Sequence, residues 1–487
     1  MVQGTMSNAG KSLIAAGLCR VFMQDGFKVC PFKSQNMALN SYVTEDNLEM
    51  GRAQVMQAEA AGIRPSAYMN PILLKPTGDM KSQVIVNGEV YGDMSAKEYY
   101  AVKTRFIPDI EAALHKLSRE YEIIVIEGAG SPAEINLKDN DIVNMGIAKL
   151  TDSPVILAAD IDRGGVFAQI FGTVMLLEPD EKERVKGIVI NKFRGDRSIL
   201  DPGIEKTEEM LDIPVCGVLP YMDISLDDED SLAERLENTN CKDIDIAVIR
   251  LPHISNFTDF NVFDKFEGVS VRYVKRASGL KDPDLLIIPG SKNTMDDMRY
   301  LWTGGLAEAV LSYAGKGKPV MGICGGYQML GKRIRDPEGA EGGGNIEGLG
   351  LLPVETKICG DKKRELCRGR FRQINGIFKD LSGLEYSGYE IHMGVSDLSG
   401  ENASGFTEGE SGCSLGNVYG TYVHGIFDAD RVADEVVGSL CRAKGISYEG
   451  GKINRKSFKE KEYDRLADMI RSHMDMDYIY GIMGLEG

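Results

Sequence analysis

Histidine is scarce, cysteine is unpaired in sequence, and positive charge is in deficit. Nine cysteines are scattered without a Cys-x-x-Cys pair and there are five histidines. That excludes a disulfide framework and a structural zinc site, and it predicts a reducing, cytoplasmic setting. The formal net charge of −17 argues against wrapping nucleic acid or docking on an anionic membrane. No apolar run approaches the roughly 18 residues that span a bilayer. The N-terminus lacks the basic and apolar regions of a secretory signal. What remains, 43% hydrophobic and 26% charged residues, is the make-up of an ordinary soluble globular protein. A length of 487 residues exceeds one core and predicts two or three domains.

Residues 1–225 alternate β-rich runs with helical stretches. Candidate strands are 122–127 (EIIVIE), 154–159 (PVILAA) and 187–191 (GIVIN), each followed by glycine or polar residues and a longer periodic stretch. This is the pattern of βα units around a parallel sheet. Residues 222–245 hold nine acidic against two basic residues, and 226–243 reads as an acidic linker. A second alternation begins at 244 (IDIAVI) and continues through 284–289 (DLLIIP), 318–323 (KPVMGI) and 418–423 (VYGTYV). The glycine-rich 338–350 reads as a loop. The expected organisation is a nucleotide-binding domain over 1–225, a second α/β domain over 244–445 and a helical C-terminal extension over 446–487. Both domains are expected to be doubly wound, mostly parallel α/β sheets. No internal repeat is visible.

The chain opens with Gly4-Thr5-Met6-Ser7-Asn8-Ala9-Gly10-Lys11-Ser12. A glycine turn before a helix aims backbone N–H groups at an anion, a lysine meets the β/γ charge, and a hydroxyl can ligate Mg²⁺. The spacing is one residue longer than the common phosphate loop. Glu127 ends a strand, where a carboxylate is well placed to hold Mg²⁺, and Asn191 ends another, where an amide can pair with a base edge. Only three residues precede Gly4, which predicts either a short first strand or a natural start further upstream.

The second domain carries Gly322-Ile323-Cys324-Gly325-Gly326-Tyr327-Gln328. A cysteine at a tight strand-to-helix turn is exposed for attack, and the helix N-terminus favours its thiolate. The Gly325 N–H and the Gly290–Ser291 loop are candidate oxyanion donors. The expected base is His424, at a late strand end.

The long loop with a Glu-Gly-Ala-Gly strand end resembles dethiobiotin synthetase-like ATPases. It lacks the early signature lysine of partition-type ATPases, which argues against a switch ATPase carrying an inert thiol domain. The Cys324 and His424 segments resemble class I glutamine amidotransferases, with one departure. Where that family has a glutamate two residues after the histidine, this chain has Ile426, so a Cys–His pair without a third member is expected. Glu390 and His392 are either close to that pair or a satisfied polar pair of their own.

Phe32-Lys33-Ser34-Gln35-Asn36, Glu49-Met50-Gly51-Arg52, Met69-Asn70-Pro71, Asp162-Arg163-Gly164-Gly165 and Leu251-Pro252-His253 through Asp259 make the whole chain resemble the cobyric acid synthase family. The Asn-Met-Ala-Leu-Asn-Ser and Met-Asn-Pro-Ile-Leu-Leu-Lys-Pro segments favour that branch over the related a,c-diamide synthases. The resemblance implies ATP, Mg²⁺, glutamine and a corrinoid with free carboxylates. Gly4, Thr5, Asn8, Ala9, Gly10, Lys11, Ser12 and Asn191 are then expected to bind ATP, and Ser12, Glu49 and Glu127 the metal. Lys33, Lys75 and Arg163 are the expected corrinoid clamps, with Lys192 and Arg194 as further cations, gathered into a basic surface near the γ-phosphate. The oligomeric state is not legible.

Overall fold

The computed structural model describes residues 1–78, 81–222, 224, 226, 236, 238–398, 403–409, 411–450 and 455–485. Most of the expected 226–243 linker lies outside the described residues.

Aliphatic and β-branched runs make a parallel sheet in the order Val29–Phe32, Ile123–Ile126, Val2–Gly4, Val155–Asp160, Val185–Phe193, Val215–Pro220. A single bridge from Val2 to Glu127 joins its two parts. Alternate residues of Val155–Asp160 feed opposite cores. Ile156 and Ala158 join Ile14 and Ile470, whereas Val155, Leu157 and Ala159 join Ile170 and Ile204. Burial on both faces explains why this strand reads as a continuous apolar run instead of an alternation. The first strand is short, at three residues. The chain order reverses beside it, the place where open α/β sheets receive ligands beyond their strand ends.

Between Val29–Phe32 and Ile123–Ile126 the chain leaves this sheet. It builds Gln35–Met37, Ile72–Gly78, Lys81–Val86 and Glu89–Ser95, paired antiparallel after the first contact.

The second sheet runs Val269–Val274, Ile244–Ile249, Leu285–Ile288, Val320–Ile323, Val418–Thr421 in parallel, then Gly412–Leu415 and Ser404–Gly405 antiparallel. The expected loop at 338–350 contains a short strand, Gly344–Glu347, paired with Arg333–Asp336. A long hairpin, Val354–Arg370 with Glu385–Leu398, slips register between Ile358 and Lys363. The irregularity carries Lys362 toward the first domain, where it meets Glu49 and Gln83.

The C-terminal helix Arg455–His473 returns to the first domain and packs on the helix Lys11–Gln24. A Cβ at Gly17 would come within 2.6 Å of Ile470, so glycine is what lets the helices approach. Arg20 pins the contact by reaching Glu460 at 2.7 Å and Asp464 at 2.8 Å. No described helix is long and apolar enough to cross a membrane.

Candidate active sites at two strand ends

Cys324 ends the strand Val320–Ile323 and precedes the helix Gly325–Leu330, with φ 52° and ψ −107°. This strained backbone is the price of presenting the thiol at a sharp turn. Gly326 makes the turn possible, because a Cβ there would meet Ile288 O at 1.9 Å. Cys324 N donates to Thr421 O at 2.8 Å, tying the turn to the neighbouring strand. Gly290, Ser291 and Gly325 come together as expected. A Cβ on Gly325 would lie 2.9 Å from Ser291 N, and one on Gly290 would lie 3.0 Å from His424 Cε1. Ser291 is held by its hydroxyl donating to Asp297 at 2.6 Å, and Asp297 also engages His253 Nδ1 at 2.8 Å.

His424 is buried and within hydrogen-bonding reach of Cys324. Its other nitrogen, Nδ1, lies 2.7 Å from Asp259 Oδ2, while Asp259 Oδ1 accepts from Gly425 N at 3.0 Å. Burial depresses the imidazole pKa, but the charges of Asp259 and Cys324 outweigh it and raise it to about 9. The expectation of a pair without a third member is therefore corrected: a carboxylate orients this histidine, and it comes from 165 residues earlier in the chain. Glu390 does not take that place. It accepts from His392 Nε2 at 3.1 Å, Lys363 at 2.6 Å and Ser411, and His392 stacks on Tyr422. Burial works to raise the Glu390 carboxyl, but His392, Lys363 and Ser411 hold it down at about 2.

A cavity of about 70 Å³ opens on Cys324. Ser291, Thr294, Gln328 and Glu341 of the second domain line one side; Glu341 accepts from Met295 N at 3.1 Å, and burial raises its carboxyl to about 7. Lys75, Thr77 and Gln83 of the first domain close the other side.

At the first sheet, Gly10 has φ 89° and a Cβ there would strike Asn191 Nδ2 at 2.1 Å. Asn191 donates to Ala9 O at 2.9 Å, while its buried Oδ1 has no hydrogen-bond partner. Lys11 folds over the loop onto Met6 O at 2.9 Å and Gly130 O at 3.1 Å, beside Gly4. Thr5 donates its N–H to Ala158 O and its hydroxyl to Gln169. Glu127 accepts from Ser12 at 2.8 Å, Lys33 at 2.8 Å and Gln57 at 2.6 Å. Burial works to raise its carboxyl, yet Lys33 and the hydrogen bonds hold it below the usual range. Lys192 ties Asn8 O at 2.8 Å to Asp160 at 2.9 Å.

Two sets of expected residues are placed otherwise. Glu49 is not grouped with Ser12 and Glu127: its carboxylate is bound by Lys75 and by Lys362 at 2.6 Å, at the seam between domains. Lys33, Lys75 and Arg163 share no basic surface. Lys33 is spent on Glu127 and Lys75 on Glu49, while Arg163 is exposed near Asp160. Among the described residues, no group of three or more His, Cys, Asp or Glu could hold a metal. Sequence reasoning missed Asp259, Asp160 and Gln57 as site residues, and Lys362 as the partner of Glu49 at the seam. Asp160 ends an apolar strand just as Glu127 does, a signal that could have found it. Asp259 closes the Leu251–Asp259 segment that carries the family resemblance but has no strand-end signal, and Gln57 and Lys362 carry no local signature.

Fold and sites together define a nucleotide-binding domain fused to a glutamine amidotransferase. Residues 1–231 match the CobQ/CobB/MinD/ParA nucleotide binding domain and residues 245–432 the CobB/CobQ-like glutamine amidotransferase domain. The chain is 53% identical to a cobyric acid synthase of Lachnoclostridium phytofermentans, covering 99% of this chain and 98% of that one. It is 54% identical to that of Ruminiclostridium cellulolyticum (99% and 96%) and 51% identical to that of Clostridium acetobutylicum (100% and 99%). The chain belongs to the cobyric acid synthase family, and it is a glutamine-dependent amidoligase.

Proposed function

We propose that this chain amidates the b, d, e and g carboxylates of adenosylcobyrinic acid a,c-diamide, using ATP and glutamine, to give adenosylcobyric acid in cobalamin biosynthesis. The observation that supports this best is the cavity on Cys324, whose wall is completed by Lys75, Thr77 and Gln83 of the nucleotide-binding domain. A thiol hydrolase walled by a ligase is suited to handing over what it releases. In this reading residues 1–225 are the ligase, 226–243 a linker and 244–445 the glutaminase. Residues 446–487 form the extension, whose helix packs back on the ligase.

In the glutaminase, the Cys324 sulfur attacks the side-chain amide carbon of glutamine, and the N–H groups of Gly325 and the Gly290–Ser291 loop receive the oxyanion. His424 takes the thiol proton and returns it to the departing nitrogen, while Asp259 fixes the ring so that Nε2 faces the sulfur. Ammonia leaves, and water then attacks the thioester carbon, releasing glutamate and the thiol.

A carboxylate is a poor electrophile, so the ligase first makes it a good one. A corrinoid carboxylate attacks the γ-phosphorus of ATP, ADP leaves, and ammonia displaces phosphate from the resulting acyl phosphate. Gly4 through Ser12 cradle the polyphosphate, Lys11 meets the transferring charge, and Asn191 offers its unpartnered Oδ1 to the base. The Ser12 hydroxyl and Glu127 carboxylate, adjacent at this cradle, fit Mg²⁺, which takes one or two protein oxygens beside phosphate and would neutralise phosphate charge. Exposed Arg163 and Arg194 are left to attract the corrinoid carboxylates.

Mass spectrometry of the product from the a,c-diamide, ATP and glutamine tests this reading. Stepwise conversion of four carboxylates to amides is expected. A product with no new amide would end the proposal.

A further inference from the structure

Three lysines and one glutamate meet at the seam between domains, Glu49 and Lys75 buried and Lys292 and Lys362 half-buried. Glu49 is fully buried, and its carboxylate receives Lys75 from its own domain and Lys362 from the other. Lys75 also donates to Ser41 Oγ at 2.8 Å, and Lys362 to Gln83 Oε1 at 2.7 Å. Lys292, which follows the oxyanion-loop Ser291, hydrogen-bonds to Lys75 in the same group. Drawing three lysines largely out of water around one anion is costly, and apolar residues of similar volume would hold two domains together with less penalty. Adhesion alone does not account for this arrangement.

Its position suggests another role. On one side the three lysines border the cavity of Cys324. On the other side begins a run of buried amides. A Cβ at Gly51, two residues from Glu49, would meet Asn36 at 2.6 Å, Gln54 at 2.9 Å and Asn70 at 3.1 Å. Gln54 in turn donates to Glu127 at 3.3 Å, beside the phosphate loop. Buried, uncharged polar groups therefore connect the cluster to the ligase site. Amide oxygens accept N–H hydrogen bonds without giving up a proton, which suits passage of a small neutral amine.

We propose that the Glu49, Lys75, Lys292 and Lys362 cluster is the gate on the ammonia path from Cys324 to the phosphate loop, passing neutral ammonia and rejecting ammonium. The inference rests on reading the chain as a two-site amidoligase. One of the hydrogen-bonded pair Lys75 and Lys292 must be a neutral amine, so with Glu49 charged the cluster keeps about one net positive charge. An ammonium ion meets repulsion from that charge in a poorly screened interior, and neutral ammonia meets none. Nitrogen released at the thiol thus reaches the acyl phosphate as a nucleophile, and nitrogen from bulk water is kept out of the path.

The test is an isotope competition in the full chain. Glutamine labelled with ¹⁵N in its side-chain amide is supplied with ATP, the a,c-diamide and unlabelled ammonium chloride, at an ammonium level too low to support synthesis alone. The wild type should give product amides that are nearly all ¹⁵N. Lys362→Met should bring the labelled fraction below half, with amidation at saturating external ammonia within about two-fold of wild type. Thermal unfolding reports whether the variant folds. If it does not, Lys362→Gln, which removes the same charge and keeps a hydrogen-bonding group between Glu49 and Gln83, gives the same readout. Undiluted label in a folded variant overturns the gate. Equal loss of synthesis from both nitrogen sources also overturns it, by placing the cluster in the ligase chemistry. A wild type that makes no amide from either source removes the proposed function itself, and the gate with it.

Discussion

The two strand-end sites are built on opposite plans. At the thiol, the partners act in series. Cys324 faces His424, His424 faces Asp259, and Asp259 also holds the Gly425 N–H. At the phosphate loop, one carboxylate serves many donors, since Glu127 accepts from Ser12, Lys33, Gln54 and Gln57. The thiol site is a chain, so truncating Cys324 at its end removes a function while the buried His424–Asp259 pair stays intact. The phosphate site is a hub, so removing Glu127 breaks several buried hydrogen bonds at once and strips a buried lysine of its carboxylate, a change that can cost about 3–5 kcal/mol. Loss of activity in the first case reports chemistry. In the second it reports chemistry only when stability is measured beside it.

The largest effects should come from cutting the chain. Cys324→Ala is expected to abolish glutamine-supported amidation, by about 10⁴-fold or more, and to leave amidation from external ammonia largely intact. His424→Ala should match it, and the double variant should be little worse, because linked groups fail as a unit. Failure of ammonia to rescue a folded Cys324→Ala protein would break the comparison, since the thiol would then serve the ligase too. At the hub, the cleanest probe is Lys11→Ala, whose side chain lies over the loop on carbonyl oxygens. It should cost about 10³-fold in synthesis from either nitrogen source, the scale of a lost cation on a transferring phosphoryl group. Glutaminase should survive. Normal synthesis by this variant would take Lys11 out of the phosphate site.

These contrasts explain what could be read from the sequence. Ile123–Ile126, Val155–Asp160 and Val320–Ile323 are short apolar runs ending in glycine or polar residues, and strand ends of that kind show in one dimension. Cys324, His424 and Glu127 could be singled out because each follows such a run closely, and Lys11 because it opens the helix after the glycine loop. Asp259 could not, because it lies in an irregular helical turn, Phe257–Lys265, with no period to mark it. Glu49 and Lys75 read as site residues and are buried ones, but their neighbours are not those expected. They lie in an antiparallel excursion whose partner, Lys362, is delivered by a register slip 313 residues away. Pairing across that separation leaves no trace in local spacing.

Asp259 separates a triad from a dyad more directly than any loss of rate. Asp259→Asn keeps the size and one hydrogen bond but removes the charge. Glutaminase kcat should fall about 10²-fold, less than for a hydroxyl nucleophile because a thiol needs less help from its base. The pH profile carries the sharper signal. An imidazolium raised to about 9 by Asp259 and Cys324 keeps its stabilising charge fully below the ordinary pKa of about 6.5. It loses that charge as the pH rises through the folded value. The alkaline limb of wild-type glutaminase should therefore fall near pH 9. Removing the carboxylate charge should move that limb toward acid by about one unit or more, as expected for loss of an adjacent opposite charge. A limb that does not move would leave Asp259 a packing residue.

The smallest effect is expected from the other buried carboxylate near the thiol. Glu390 is as buried as Asp259 and also touches a histidine, yet that histidine is His392, stacked on Tyr422 and lining the cavity wall. Glu390 also neutralises Lys363 and accepts from Ser411, so its contacts are those of a small hub inside the chain-like site. Glu390→Gln should retain most of these hydrogen bonds while losing the charge that holds Lys363. A stability loss of about 1–3 kcal/mol is expected, the cost of weakening a buried hydrogen bond to a charged group. Glutaminase kcat should drop less than about ten-fold, with no movement of the alkaline limb, because a carboxylate not bonded to His424 tunes it only weakly. Thermal unfolding and a glutamate-release assay across pH measure both. If Glu390→Gln shifted the limb as far as Asp259→Asn does, the two carboxylates would act on one imidazole and the thiol site would be a hub after all.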